Sequence, residues 1–522
     1  MPPPWGLTWP DLDEFTVLAR DRRVIPVVRR LLGDDLTPID IYRRLAADRP
    51  GTFILESAEF DGGWSRWSFV GVSSRATLTV ASDGGFPARA RWVGDVPAGL
   101  PREGDVLEVL GDTLEFLHTP AVPGLPPLTG GFVGALGWDV LRHWEPNLRA
   151  LAPDELDVPE LSLCLATDLV AVDHLDGSVW LIANAVSFDD SAAGCREAHA
   201  DAVARLDEME ATLLEARESV VAVLDESAAE PELRFRTTRE DYLQSVLAAK
   251  EAIRDGEVFQ VVISQRLELD CPAKPLDVYR VLRTINPSPY MYYVRLADGA
   301  GSDFSVVGSS PETLVKVADG EVTTFPIAGS RPRGATPAAD SALAHELLED
   351  PKDRAEHLML VDLSRNDLAK VCRPESVELV EFMAVKRYSH VMHITSTVVG
   401  TLRPGASALQ TLIATFPAGT LSGAPKPRAI EIIDTLEPAR RGIYGGTVGY
   451  FDFAGNMDMA IAIRTAFVRD GVASVQAGAG LVADSVPESE YRESRDKAAA
   501  AVRAVQIASR LRPVGGGDGR AG

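Results

Sequence analysis

The spacing of apolar residues changes period several times along the chain, and each change marks an element. Over the first 190 residues short apolar runs alternate with polar positions, as in Phe53-Ile-Leu-Glu-Ser57 and Arg66-Trp-Ser-Phe-Val-Gly-Val72. This predicts half-buried strands separated by loops, with Gly62-Gly63 turning the chain between these two. Glu56 and Ser57 interrupt the first run and read as an edge strand facing water. Gly130 to Trp138 is glycine-rich but lacks the G-x-G-x-x-G spacing, so no dinucleotide site is expected there. From Cys195 to Arg217 the period lengthens to that of a helix, and Glu226–Leu233 reads as a connector.

Beyond Thr237 the pattern sharpens. Tyr242, Val246, Ala249 and Ile253 line one helical face, which Gly256 ends. Val258–Leu269 then alternates as a strand, placing Gln260 on the face of Val258, Val262 and Ser264. Short strands follow at Met291–Leu296, Phe304–Val307, Thr313–Val317 and Val322–Phe325, then a helical block over 340–371, more strands, and a last helix over 487–510. Without regular βαβ alternation, the order predicts an α+β fold with mostly antiparallel sheet.

Length and composition narrow this further. At 522 residues, 46% of them hydrophobic and eight of them Trp, the chain is ordered and large enough for two lobes. We expect an N-terminal region over 1–235, a catalytic region over 236–512 and a disordered tail over 513–522. Acids outnumber bases 76 to 52, a net charge of −24, with no basic cluster. Nucleic acid and anionic membrane are therefore excluded as partners, and any anionic ligand needs specific arginines, backbone N–H groups or a metal. Cys164, Cys195, Cys271 and Cys372 form no metal-binding pattern, which predicts a reduced chain without structural zinc. The opening residues have no leader-like apolar segment and no run reaches membrane-span length, so a cytoplasmic location is expected.

Polar chemistry crowds into the stretch from Tyr388 to Lys497. Asp353 and Glu356 stand three apart, as do Glu490 and Glu493. On helices each pair shares a face, and hard oxygen ligands without His or Cys suit Mg²⁺; solvated helix starts are the plainer account. His393 lies in a strand-like context beside His390, where a core role competes with a chemical one. Arg464, in the apolar run Met459–Phe467, must meet an anion, either structural or a ligand carboxylate. Gly478-Ala479-Gly480 permits either a tight turn or close backbone approach to an oxyanion. Gly419–Lys426 lacks the ending of a phosphate loop.

Taken as a set, the motifs carry a resemblance. They are Gly308-Ser-Ser-Pro-Glu312, Phe325-Pro-Ile-Ala-Gly-Ser-Arg-Pro-Arg-Gly334, Ala355–Asp367, Tyr388-Ser-His-Val-Met-His393, Thr420-Leu-Ser-Gly-Ala-Pro-Lys426, Tyr444–Tyr450, Gln476-Ala-Gly-Ala-Gly480 and Glu490-Tyr-Arg-Glu493. Leu55-Glu-Ser57 and Gly130–Gly134 add to them in the N-terminal half. The chain resembles the chorismate-utilising enzymes, on the branch of the anthranilate synthase large subunit (component I). The resemblance implies β-sheets packed as a sandwich with helices outside, and conversion of chorismate and ammonia to anthranilate and pyruvate. By the same resemblance the ammonia comes from a glutamine amidotransferase subunit in a hetero-oligomer. Glu356 and Glu493 would hold Mg²⁺, with Asp353 and Glu490 behind them. Glu312 would act as general acid, His393 would assist loss of the ring proton, and Thr420 would support the chemistry. Gly329, Ser330, Tyr444, Arg464, Gly478 and Gly480 would bind substrate. Leu55, Glu56, Ser57, Pro289, Tyr290 and Met291 would form a tryptophan feedback site. The family usually carries Glu at position 353 and Thr at 330, and both replacements keep the functional group. Isochorismate-forming relatives carry a lysine at Gln260, and aminodeoxychorismate-forming ones a lysine at Ala328. An aminodeoxychorismate or aminodeoxyisochorismate synthase is the alternative on the same fold.

Overall fold

The computed structural model describes residues 4–58, 65–80, 88–216, 221–387 and 391–514. The Gly62-Gly63 turn, Tyr388, His390 and the tail from 515 onward lie outside the described residues. Among the described residues, twenty-two strands join one antiparallel sheet system with helices packed against it, the expected α+β architecture. The four cysteines are buried and free. Among the described residues no helix is long and apolar enough to cross a membrane.

Sheet pairing ignores the compositional division at residue 235. Thr52–Glu56 pairs with Tyr290–Ala297, and Gly131–Leu136 pairs with Thr447–Asp452. One apolar cluster accordingly mixes Phe53, Phe69 and Val133 with Tyr292, Val306 and Phe467. The edge reading of Glu56 is overturned here. Its strand has neighbours on both sides, Trp67–Val80 and Tyr290–Ala297, and Glu56 is only 4% exposed. The Tyr279 hydroxyl and the Arg283 guanidinium, 2.9 Å from Oε1, satisfy it.

Helix boundaries follow local chemistry. Thr238 caps Arg239–Arg254 by accepting from the Asp241 N–H, and Gly256, at φ +79°, ends it. Tyr242, Val246 and Ala249 form its buried stripe. The expected block over 340–371 is two helices, Pro337–Glu349 and Pro351–Ala369, because Pro351 restarts the chain and Asp350 caps the second through the Lys352 and Asp353 N–H groups. Pro487 opens the last helix, Pro487–Ala508. The first 190 residues also contain helices where strands alone were expected, among them Val106–Phe116. Its Val-Leu-Glu-Val-Leu start reads locally as a strand, but the Asp105 cap and burial of Val106, Leu107, Val109 and Leu110 make it helical. At the other end Leu511–Pro513 pairs with Ala222–Leu224, so order extends into the segment expected as tail.

Candidate active site

A bulge builds the first half of the site. Ile327–Pro332 pairs with Val391–Thr401, but register slips between Ala328↔Ile394 and Arg331↔Met392, so Gly329 and Ser330 together oppose His393. Gly329 adopts φ +65°, and its carbonyl lies 2.7 Å from His393 Nδ1. A carbonyl only accepts, so Nδ1 carries the proton and Nε2 is the basic nitrogen. Burial lowers the His393 pKa, the Gly329 hydrogen bond opposes this, and the charges of Arg464 and Lys497 lower it further. The ring is therefore neutral near pH 7. Ser330 is exposed at the bulge.

Glu312 follows the Asp303–Ser310 strand. Its Oε2 accepts from the Thr420 hydroxyl at 3.1 Å. Burial pushes the Glu312 carboxyl above the usual range, against the pull of Thr420, Lys497 and Arg464. A carboxyl so placed can hold a proton for a leaving group.

The two acid pairs sit on the expected helices, but their members differ. Glu356 is partly buried and near Glu493; burial raises its pKa, and Asp353 and Glu493 add to the rise against Lys352 and Lys497. Asp353 is already engaged, with Oδ2 3.0 Å from Arg331 Nη1. Glu490 is buried, and that burial raises its pKa. Glu493 is half exposed and paired with Lys497 at 2.8 Å. Among the described residues no three His, Cys, Asp or Glu groups converge closely enough to enclose a metal. The donors near one another are the carboxylates of Glu356 and Glu493, from two different helices, which fits an ion that keeps much of its water shell.

Arg464 lies in a break, not in the continuous strand expected from its apolar neighbours. Met457–Ile461 and Thr465–Arg469 are separate strands, and Arg464 turns between them at φ +50°. This turn has a consequence for Gly478 and Gly480. Both lie in the Val472–Leu481 strand, which pairs with Gln260–Asp270 along its length but with Thr465–Arg469 only as far as Val475. Val262 and Ser264, their partners, send their own N–H groups elsewhere, to Ser422 O and Glu437 Oε1. By antiparallel alternation the Gly478 and Gly480 N–H groups then face away from Gln260–Asp270, into the gap the turn has opened. The tight turn is overturned; close backbone approach remains. The Gly478 N–H hydrogen-bonds Tyr444, and its carbonyl accepts from Lys497 Nζ at 3.2 Å.

Scanning against family models matches residues 55–503 to the chorismate binding enzymes. The chain belongs to this family. It is 55% identical over 508 residues to anthranilate synthase component 1 of Arthrobacter globiformis, covering 97% of this chain and 94% of that protein. It is 52% identical over 500 residues to that of Mycolicibacterium smegmatis, covering 96% and 94%. Among solved structures, anthranilate synthase component I from Streptococcus pneumoniae superposes with a TM-score of 0.71 at 33% identity, over 84% of this chain and 92% of that one. The menaquinone-specific isochorismate synthase of Escherichia coli shares the fold, with a TM-score of 0.65 at 18% identity, over 95% and 98%. The resemblance read from the motifs is borne out.

Two features of this chorismate binding enzyme escaped the motif reading. Lys497 touches Glu493 and Gly478, and its charge bears on Glu312, Glu356, Glu490 and His393. Only its position four residues after Glu493 on a helix could have marked it. Behind Tyr444, Arg441 is 2% exposed and held by Glu437 (2.7 and 2.9 Å), Leu421 O (2.7 Å) and Val262 O (2.9 Å). Its guanidinium lies between the rings of Trp138 and Tyr444, 4.3 and 5.4 Å from their centres. Glu437 also accepts from Ser264, whose hydroxyl accepts from Gln476. A separate cavity of about 440 Å³ brings together Leu55, Glu56, Ser57, Pro289, Tyr290 and Met291. Trp67, Phe69 and Tyr450 give it aromatic walls.

Proposed function

We propose that this chain is the large subunit of an anthranilate synthase, converting chorismate and ammonia to anthranilate and pyruvate. Ammonia would come from glutamine through a separate amidotransferase subunit. The observation that supports this reading most is identity of 51–55% over nearly the whole chain to proteins of that name, with Gln260 and Ala328 in place of the two lysines of the sister activities.

The residues divide the work between two steps. In the first, ammonia forms a C–N bond to the ring while the ring hydroxyl leaves as water. Glu312, whose burial favours the protonated form and which Thr420 orients, would give that hydroxyl its proton. In the second, His393 Nε2 takes a ring proton. The C–H electrons complete the aromatic ring, the ether C–O bond breaks, and the released enolpyruvate takes up a proton to become pyruvate. Gly329 holds the imidazole in the tautomer that leaves Nε2 basic. Arg464 and Tyr444 would grip the enolpyruvyl group, and the N–H groups about Gly329, Gly478 and Gly480, with Ser330, would receive carboxylates.

Glu356 and Glu493 would hold Mg²⁺, with Asp353 and Glu490 behind them; the ion supplies Lewis-acid polarisation of the ring carboxylate when bound. Lys497 now neutralises Glu493 and would yield that carboxylate. The cavity at Ser57 and Tyr290 would take tryptophan as feedback inhibitor, its indole against the aromatic walls.

Purified chain supplied with chorismate, Mg²⁺ and excess ammonium over a range of pH should give a fluorescent product with the mass of anthranilate, plus pyruvate. A product that keeps the enolpyruvyl group, with no pyruvate released, would reassign the chain to the aminodeoxychorismate or aminodeoxyisochorismate reaction.

A further inference from the structure

A small pocket of about 60 Å³ runs from Glu312 and Thr420 to Ser364 and Asp367. Leu360, Leu363, Ser364 and Asp367 of the Pro351–Ala369 helix line it, continuing the face that carries Glu356. Two of the sequence motifs end here without a part in the chemistry so far. Asp367 Oδ2 lies 2.7 Å from Lys426 Nζ, which also donates to Thr415 O at 3.0 Å. Ser364 is part-exposed and followed by exposed Arg365 and Asn366, so this end of the pocket is close to solvent. Thr324 also lines the pocket; it is 6% exposed, and its hydroxyl has no hydrogen-bond partner among the described residues. Buried hydroxyls are nearly always paired. A space of this size holds about four waters, each of which needs about two to four polar neighbours. Thr324, Ser364, Thr420 and the carboxyl groups of Glu312 and Asp367 supply them.

We propose that this pocket carries a short chain of waters through which Glu312 recovers its proton from solvent, with Thr324 and Ser364 as positioning residues. The proposal rests on the reading of Glu312 as the general acid of an anthranilate synthase. When the ring hydroxyl leaves as water, the C–O electron pair goes with the oxygen and the carboxyl proton follows it. Glu312 is left as a buried carboxylate, and one proton must return before the next chorismate reacts. Ring and ammonia occupy the front of Glu312 during the reaction, so the return path lies behind it. A proton that enters beside Ser364 passes from water to water, and the last water gives one to Glu312. Each water gains one proton and loses one, so the chain ends as it began. The Asp367–Lys426 pair ties the helix to the Thr420–Lys426 segment and holds the pocket at its width.

The test uses the full chain with ammonium as nitrogen source. Thr324→Val keeps the volume and removes the hydroxyl, while Ser364→Leu fills the solvent end from a different element and guards against a local packing effect of the first. Loss of one neutral hydrogen bond to the chain corresponds to a fall of about three- to twelve-fold in kcat. The KM values for chorismate and ammonium should stay within about twofold, and the solvent deuterium isotope effect on kcat should rise above that of the wild type, because proton return becomes slower. A purely structural Thr324 predicts the reverse: valine relieves an unpaired hydroxyl, so stability holds or improves and kcat is unchanged. Unchanged kcat in both variants overturns the proposal, as does a fall in kcat with an unmoved isotope effect. A selective rise in the ammonium KM also overturns it, since the pocket would then be a passage for the nucleophile. A wild-type chain that makes no anthranilate from ammonium overturns the functional reading instead, before any variant is compared.

Discussion

Gly329→Ala perturbs one backbone atom of the bulge and through it the orientation of His393. The residue sits at φ +65°, where a side chain costs about 1–2 kcal/mol relative to glycine. The new Cβ would also lie 2.9 Å from Leu347 Cδ1 and 3.0 Å from both Cβ and Cγ of Asp353. Leu347 is fully buried and cannot swing into solvent, while Asp353 is held by Arg331. Overpacking of this kind costs about 1–3 kcal/mol, for a total of about 2–5 kcal/mol. The cheapest relief is movement of the bulge, which shifts the carbonyl that binds Nδ1. Displacing a catalytic group by about 1 Å costs on the order of 100-fold in rate. Denaturant unfolding should therefore report the stability loss, and steady-state anthranilate fluorescence a fall in kcat far larger than any change in the chorismate KM. The low-pH limb of the kcat profile should also move, because His393 loses the hydrogen bond that raises its pKa. A variant destabilised as expected but with native kcat and an unmoved acid limb would refute the role given to the Gly329 carbonyl.

Other consequences are open to measurement. Glu312→Gln should lower kcat by about 100-fold or more while chorismate still binds. In the wild type, activity should fall as pH rises through the raised Glu312 pKa, where the acid loses its proton, and fall as pH drops through the lowered His393 pKa, where the base gains one; a pH–rate profile of Glu312→Gln that keeps its alkaline limb would contradict the first assignment. Arg441→Ala leaves Glu437 buried and unpaired, so unfolding free energy should fall by about 3–5 kcal/mol, measured by denaturant titration. Ser57→Arg should fill the cavity at Tyr290 and abolish tryptophan inhibition with turnover retained; inhibition surviving intact would place the effector elsewhere.

What the sequence determined by itself was local. The stripe Tyr242, Val246, Ala249 with Gly256 behind it reads as a helix from sequence alone, because periodicity and a glycine stop act within a few turns. The alternation from Gln260 onward is a strand for the same reason, and the family motifs named the acids on both helices before any fold was in hand. Tertiary structure decided what depends on partners far away in the chain. Glu56 is interior because its neighbour in the sheet is Met291, and no pattern within five residues encodes that pairing. The apolar run around Arg464 breaks because the strands on either side join different neighbours. That break leaves the Gly478 and Gly480 N–H groups without a strand partner on that side, and the Gly478 N–H turns to Tyr444 instead. Lys497 acquired its place for the same reason. A charge on a helix means little until folding brings Glu312, Glu356 and His393 around it, and burial turns each into a group whose proton matters.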